Sequence, residues 1–268
     1  MKLATIRDGG STRAVRIEGD EAVVLDAPDV RAVLEQGDVD ETGVRLPVAG
    51  LDYAPLIPSP DKIICVGLNY RSHIEETGSE PPSHPALFTK FRGALVGAYD
   101  DVLLPHESDL CDWEAELTVV IGSPARRVSV EQADEHIAGY TIMNDFSVRD
   151  WQRRTSQWLA GKSWEHGSPL GPWLVSKDES PGPSREIVCE IDGEAKQKSD
   201  TADLLFGPQE LVSYASTFIT LLPGDVIATG TPAGVGMGTG QMLQDGTVMV
   251  TRIGGLGECR NVCRREHA

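Results

Sequence analysis

CDWEAELTVVIG, residues 111–122, decides how the chain is read. LTVVI is β-branched and apolar, as a buried strand should be, yet Asp112, Glu114 and Glu116 stand directly before or inside it. Strands disfavour acids. If the strand is regular, Glu114 and Glu116 share one face and Trp113 and Ala115 the other, because side chains alternate. Two carboxylates held side by side repel unless a cation or a proton lies between them. An isolated pair of this kind ordinarily belongs to a solvated edge strand. Here Asp145 adds a third carboxylate, in YTIMNDFSVRD, at the end of another apolar run. Three acids at the ends of buried strands, with no Cys/His set beside them, describe an all-oxygen site suited to Mg²⁺ or Mn²⁺ and less selectively to Ca²⁺.

The text around these runs is strand-rich. KIICVGLNY, PALFTKF, PWLVS, EIVCEIDG and DVIATG are further strand candidates. SVEQADEHIAGY (129–140), which opens on a Ser-x-x-Gln capping pattern, and PQELVSYASTFITLL (208–222) read as helices. Strict βα alternation is missing, which argues against a Rossmann sheet or a barrel of alternating strands and helices. Residues 1–55 read as a small α+β module: the strand-like runs KLATI, TRAVRI and EAVVLD, then the short helix DVRAVLEQG ending at Gly37. The proline-rich APLIPSPDK, 54–62, marks a boundary with a second unit over 62–265.

Composition narrows the partners. The 268 residues carry a formal net charge of −17 at pH 7, a poor match for nucleic acid or an anionic membrane. No apolar run reaches the ~20 residues of a membrane span, and MKLATIRDGG lacks a signal-peptide core, so a soluble, cytoplasmic protein is expected. The five cysteines lack paired spacing and read as reduced thiols.

Other motifs carry chemistry more weakly. In HIEE, 73–76, one helical turn brings His73 beside Glu76, and a carboxylate raises the basicity of an imidazole. Glu75 is expected to face solvent. Lys162, between Gly161 and Ser163, is placed to meet an anionic substrate. ATGTPAGVGMGTG, 228–240, follows a strand but matches no phosphate-loop pattern; it reads as a flexible connection, or as a cradle in which backbone N–H groups and Thr231 hold a carboxylate. There is no GxSxG and no HExxH.

Five blocks in order, KIICVGLNYRSH, DWEAELTVVIG, AGYTIMNDFSVRDWQ, GKS…PLGPWLV and LLPGDVIATGTPAGVG, resemble the fumarylacetoacetate hydrolase superfamily, its acylpyruvase-like and 2-hydroxyhepta-2,4-diene-1,7-dioate isomerase-like members in particular. The resemblance implies a strand-rich α+β fold, a mixed β-sandwich roll, usually dimeric. It implies that Glu114, Glu116 and Asp145 bind one Mg²⁺ or Mn²⁺, that His73, Glu76 and Lys162 are catalytic, and that Arg71, Gln152 and Thr231 meet the substrate. It also implies that 73–85 is a lid. The implied reaction is hydrolysis of a C–C bond in an acylpyruvate-type diketo acid through a metal-stabilised enolate. The alternative on the same scaffold is an isomerase of a hydroxymuconate-type diacid or a decarboxylase of oxaloacetate. One departure stands out. Trp164-Glu165-His166-Gly167-Ser168 replaces an Asp-Thr-Phe-like stretch of many relatives, leaving His166 as either an extra polar contact or an exposed residue.

Overall fold

A computed structural model describes residues 1–179, 182 and 184–267. The chain opens with β1 (Lys2–Asp8), β2 (Ser11–Glu18), β3 (Glu21–Leu25), α1 (Val30–Gln36) and β4 (Glu41–Pro47). Next come β5 (Ile63–Gly67), α2 (Arg71–Thr77), β6 (Ala86–Thr89), β7 (Leu95–Val96), β8 (Val102–Leu104), β9 (Cys111–Asp112) and β10 (Ala115–Ile121). The middle holds α3 (Val130–Ala133), β11 (Ile137–Asn144), β12 (Ser147–Val148), α4 (Arg149–Gln152), α5 (Leu159–Lys162) and β13 (Ser168–Ser176). The chain closes with β14 (Glu186–Ile191), β15 (Glu194–Asp200), α6 (Pro208–Phe218), β16 (Val226–Ala228), α7 (Gly236–Thr239), β17 (Val248–Ile253) and β18 (Gly257–Arg265).

The strands form a large mixed sheet in the order β4-β3-β2-β1-β13-β11-β10-β16-β5-β6, with β7 also on β13, and a five-stranded sheet β15-β14-β17-β18-β8. The two sheets face each other across one apolar core that includes Trp113, Leu117, Ile142, Ile187, Met249 and Cys259. Farther along the same face of β10, α6 buries Leu211, Val212 and Ala215 against Val119, Ile121 and Ile227. The opposite face, with Val120 and Met143, packs in a cluster with Val30 and Val33 of α1. Each leucine, isoleucine or valine side chain so removed from water contributes about 1.5–3 kcal/mol. A strand-rich α+β sandwich is therefore what the sequence led one to expect.

The N-terminal strands enter the large sheet through β1, whose Lys2 and Leu3 pair with Val175 and Leu174 of β13. The proline-rich stretch is not an exposed tether: Leu56 and Ile57 are fully buried, and Leu56 N donates to Leu170 O. All five cysteines are free and buried. No helix among the described residues is long and apolar enough to cross a membrane.

Three local expectations change. The strand expected over 111–117 is interrupted at Trp113 and Glu114. The Asp112 Oδ1 and Asn144 Oδ1 atoms accept from the N–H groups of Trp113 and Glu114, so side-chain oxygens replace a ladder partner there. The helix expected over 129–140 keeps its Ser129/Gln132 capping box but turns into β11 at Ile137. That stretch has partners on both sides, β10 and β13, and two ladders outweigh a weak local helix preference. The helix from Pro208 stops at Phe218, where β-branched Ile219 turns extended and Leu221 bridges to Ala125.

Candidate metal and active site

The site is built on two neighbouring strands. β10 and β11 run antiparallel, pairing Ala115 with Asn144 and Glu116 with Met143. Asp145 N donates to Glu114 O at 2.8 Å, which locks the residues flanking the two strands together. Oxygen atoms of Glu114, Glu116 and Asp145 consequently lie within 4.8 Å of one another, all buried.

Burying carboxylates costs free energy unless each has a partner. Lys162 Nζ donates to Glu114 Oε2 at 2.6 Å and to Asp145 Oδ2 at 2.8 Å. Lys90 Nζ, fully buried at its side chain, donates to Asp145 Oδ1 at 2.5 Å. Arg149 lies 2.7 Å from Glu114 Oε1 and donates its Nε to Asp112 Oδ2 at 2.7 Å. Four acids thus meet three cations, and Glu116 is the acid that none of these cations touches. The electrostatics follow. Burial would raise the Glu114 carboxyl, but Lys162 and Arg149 overcome it and hold it well below the usual range. Burial, then the charges of Asp145 and Glu114, push Glu116 well above it. Burial would lower Lys162, yet Asp145 and Glu114 raise it, so it stays an ammonium.

The donor set fits a hard divalent cation. It is all oxygen, converges to one point, and includes Glu116, a carboxyl with no cation beside it. Burial and its acidic neighbours push Glu116 towards holding a proton, a place that a divalent cation would take. Glu114, Glu116 and Asp145 are the residues that would hold Mg²⁺ or Mn²⁺.

The glycine-rich loop supplies the rest of the frame. Its N–H groups cradle carboxylates of this chain: Gly230 N donates to Glu116 Oε2 at 2.8 Å, Gly234 N to Glu76 Oε1 at 2.9 Å, and Gly236 N to Asp112 Oδ1 at 2.6 Å. Gly230 has φ +101, and a Cβ there would meet Asn69 Cβ at 2.9 Å and Val66 O at 3.0 Å. Only glycine fits without strain.

α2 presents His73, 9% exposed, with Nδ1 at 2.9 Å from Glu76 Oε2. Glu76 is itself anchored on Gly234, so the imidazole is fixed from behind and its Nε2 is left for a reacting group. His73 lies close enough to the triad to register electrostatically at Glu114. Glu75 is exposed.

The remaining expected residues sort as follows. Gln152 Oε1 accepts from Arg149 Nη1 at 3.0 Å, so it belongs to the network around Glu114. Thr231 Oγ1 donates to Ala115 O at 2.9 Å and accepts from Gln197 Nε2 at 2.8 Å, bracing the start of β10. Arg71 turns away from the triad; its Nη1 donates to the carbonyls of Asp203 and Leu204. His166 is exposed, while Trp164 packs edge-on against Trp151 at 5.1 Å. Lys162 reaches the triad because Gly161 lets α5 lie on α4: a Cβ there would meet the Gln152 backbone N at 2.4 Å.

Sequence reading missed Lys90, Arg149, Asp112 and Gln197 as parts of the site. Lys90 carries a faint signal, a lysine directly after the apolar strand PALFT, and Arg149 lies in the quoted VRDWQ. Gln197 carries none; it arrives from β15, far away in sequence.

Comparison with known proteins agrees with this geometry. The family described as Fumarylacetoacetate (FAA) hydrolase C-terminal matches residues 62–264. A mitochondrial oxaloacetate tautomerase of Bos taurus is 43% identical over 216 residues, covering 76% of this chain and 69% of that protein. The solved structure of a 5-carboxymethyl-2-hydroxymuconate delta-isomerase from Mycobacterium smegmatis is 35% identical, with a TM-score of 0.86 over 99% of this chain and 100% of that one. A 2-hydroxyhepta-2,4-diene-1,7-dioate isomerase from Mycobacterium marinum is 32% identical, with a TM-score of 0.85 over the whole of both chains. With a family match over residues 62–264 and the buried carboxylate triad in place, the chain belongs to the fumarylacetoacetate hydrolase family.

Proposed function

We propose that this enzyme interconverts the enol and keto forms of a short 2-oxo dicarboxylic acid, of the oxaloacetate or 2-hydroxy-dienedioate type, with a divalent ion at Glu114, Glu116 and Asp145. The observation that carries this reading is the His73–Glu76 pair, set beside a buried triad of metal-ligand type. Such a pair moves one proton. Tautomerisation needs no more than that, and the similar proteins named above are a tautomerase and two isomerases. Their likeness supports the isomerase alternative over the hydrolase expected first.

Lewis acidity towards the carboxylate and 2-oxo oxygens of the substrate is what Mg²⁺ or Mn²⁺ supplies when bound. The chain's own groups do the rest. Glu76 holds Nδ1–H of His73, so Nε2 takes the proton from the enol hydroxyl and returns one to the neighbouring carbon, or the reverse. Lys162 keeps Glu114 and Asp145 ionised and in place, and its positive charge favours negative charge developing on the substrate oxygen. The apolar residues around the triad exclude water and strengthen each of these interactions.

The test is a Mg²⁺-supplemented assay with oxaloacetate and a 2-hydroxymuconate-type diacid, following ultraviolet absorbance of the enol and product masses. Enol loss without change of mass supports the proposal. Pyruvate plus a second acid from an acylpyruvate would replace it with the C–C hydrolase, which the same His73–Glu76 pair can serve by activating water. A homodimer is likewise proposed: light scattering at twice 28.9 kDa supports it, and a value of 28.9 kDa overturns it.

A further inference from the structure

A second charged cavity lies on the other side of β10 from the triad. Leu117 lines it, and Leu117 points opposite to Glu116 on the strand. The cleft has a volume of about 840 Å³. Arg185 lines it, just before β14, and is only 4% exposed. Its guanidinium stacks over the Tyr140 ring, 5.2 Å from the centroid. Among the described residues no carboxylate pairs with Arg185, and its Nη1 has no hydrogen-bond partner. Buried arginines are ordinarily paired, because an uncompensated buried charge is costly. Burial accordingly lowers the Arg185 guanidinium, with only Tyr140 opposing.

A second guanidinium, Arg71, lines the same cleft from α2. Its Nη1 is held by the carbonyls of Asp203 and Leu204. The acidic side chains at the rim are already engaged: Asp134 with Lys177, Asp178 with Ser176, and Glu210 with the N–H of Gly207. Leu204, Leu205 and Pro208 make the walls apolar. A guanidinium stacked on an aromatic ring keeps its planar N–H edge free, and that edge matches a carboxylate bidentately.

From this geometry we infer that the cleft between α2, α6 and the Arg185 segment is a second binding site, for a short organic dicarboxylate, with one carboxylate on Arg185 and the other on Arg71. The apolar walls select an organic body over an inorganic anion. The site is distinct from the metal centre, because Glu116 and Leu117 face opposite sides of β10, and Arg71 and His73, two apart on one helix, diverge. It holds whatever reaction the triad performs.

Isothermal titration of the full chain with sodium succinate in EDTA, where no divalent ion links ligand to the triad, tests it. Wild type is expected to bind with a Kd of about 1 mM or tighter. His73→Ala, on the triad side, should bind the same. Arg185→Gln should weaken binding at least ~10-fold, the loss of a charge-assisted bidentate pair. Inorganic phosphate should bind more weakly than succinate. A melting temperature of Arg185→Gln at or above the wild type's shows that its fold survives. If that variant does not fold, Pro208→Glu, which sets a negative charge on the cleft wall at the first turn of α6, carries the same expectation. Unchanged affinity in the folded variant, no binding to wild type, binding lost with His73→Ala, or phosphate binding as tightly as succinate would each overturn the assignment.

Discussion

At the scale of single residues, what sets this site apart is how unevenly its charges are shared. Asp145 has two lysines, Glu114 a lysine and an arginine, and Glu116 only the N–H of Gly230. Glu116→Gln keeps that acceptor oxygen and removes the charge with no cation beside it. The metal-free variant should melt higher than wild type and lose Mn²⁺ affinity by at least ~100-fold, read by calorimetry and titration. Lys90→Met should do the opposite to stability. It leaves one side of the buried Asp145 without its partner, at a cost of about 3 kcal/mol in metal-free denaturant unfolding. Mn²⁺ should recover part of that loss, since it offers Asp145 a new counter-charge.

At the scale of elements, the glycine-rich loop and α2 act together. The loop fixes Glu116 through Gly230 and Glu76 through Gly234, so one segment positions both an acid of the triad and the partner of the proposed proton carrier His73. His73→Ala leaves this frame intact. It should lower kcat by ~10²–10⁴ while the Mn²⁺ affinity stays within a few-fold, as measured by steady-state kinetics and titration. Gly230→Ala disturbs the frame instead. At φ +101 with Asn69 in van der Waals overlap, it should lower both metal affinity and melting temperature. If metal affinity survived that substitution, the loop would not be what positions Glu116.

At the scale of the whole molecule, pH and metal act through the same groups. Glu116 has a folded-state pKa above its ordinary value. Its contribution to stability is fully present at pH below the unfolded value and lost as pH rises through the folded one. Glu114 is shifted down, so its contribution is present above the ordinary carboxylate value and lost only as pH falls through the lowered one. Through the neutral range the metal-free protein therefore loses stability on account of Glu116, and a bound divalent ion reverses that loss. The rise in melting temperature caused by saturating Mg²⁺ should grow from about pH 5 to about pH 8, followed by scanning calorimetry. A rise that shrinks with pH would remove Glu116 from the metal site.

The sequence by itself determined the strand-rich class, the family and the short motifs of the candidate site, but put the hydrolase ahead of the isomerase that the similar proteins favour. Alternating and β-branched runs mark strands locally, and Glu114, Glu116, Asp145, His73 and Glu76 stand in short motifs whose spacing brings them together through one strand pair and one helical turn. Only the tertiary structure decided where β11 begins, because Ile137–Asn144 is a strand by virtue of partners that lie elsewhere in the chain. It alone placed Lys90, Arg149 and Gln197 at the site and Arg71 in a different cleft. The physical reason is the same in each case. Backbone preference and motif spacing are local, whereas the partner of a buried charge is fixed by packing between segments distant in sequence, and one sequence read residue by residue does not encode which charges will meet.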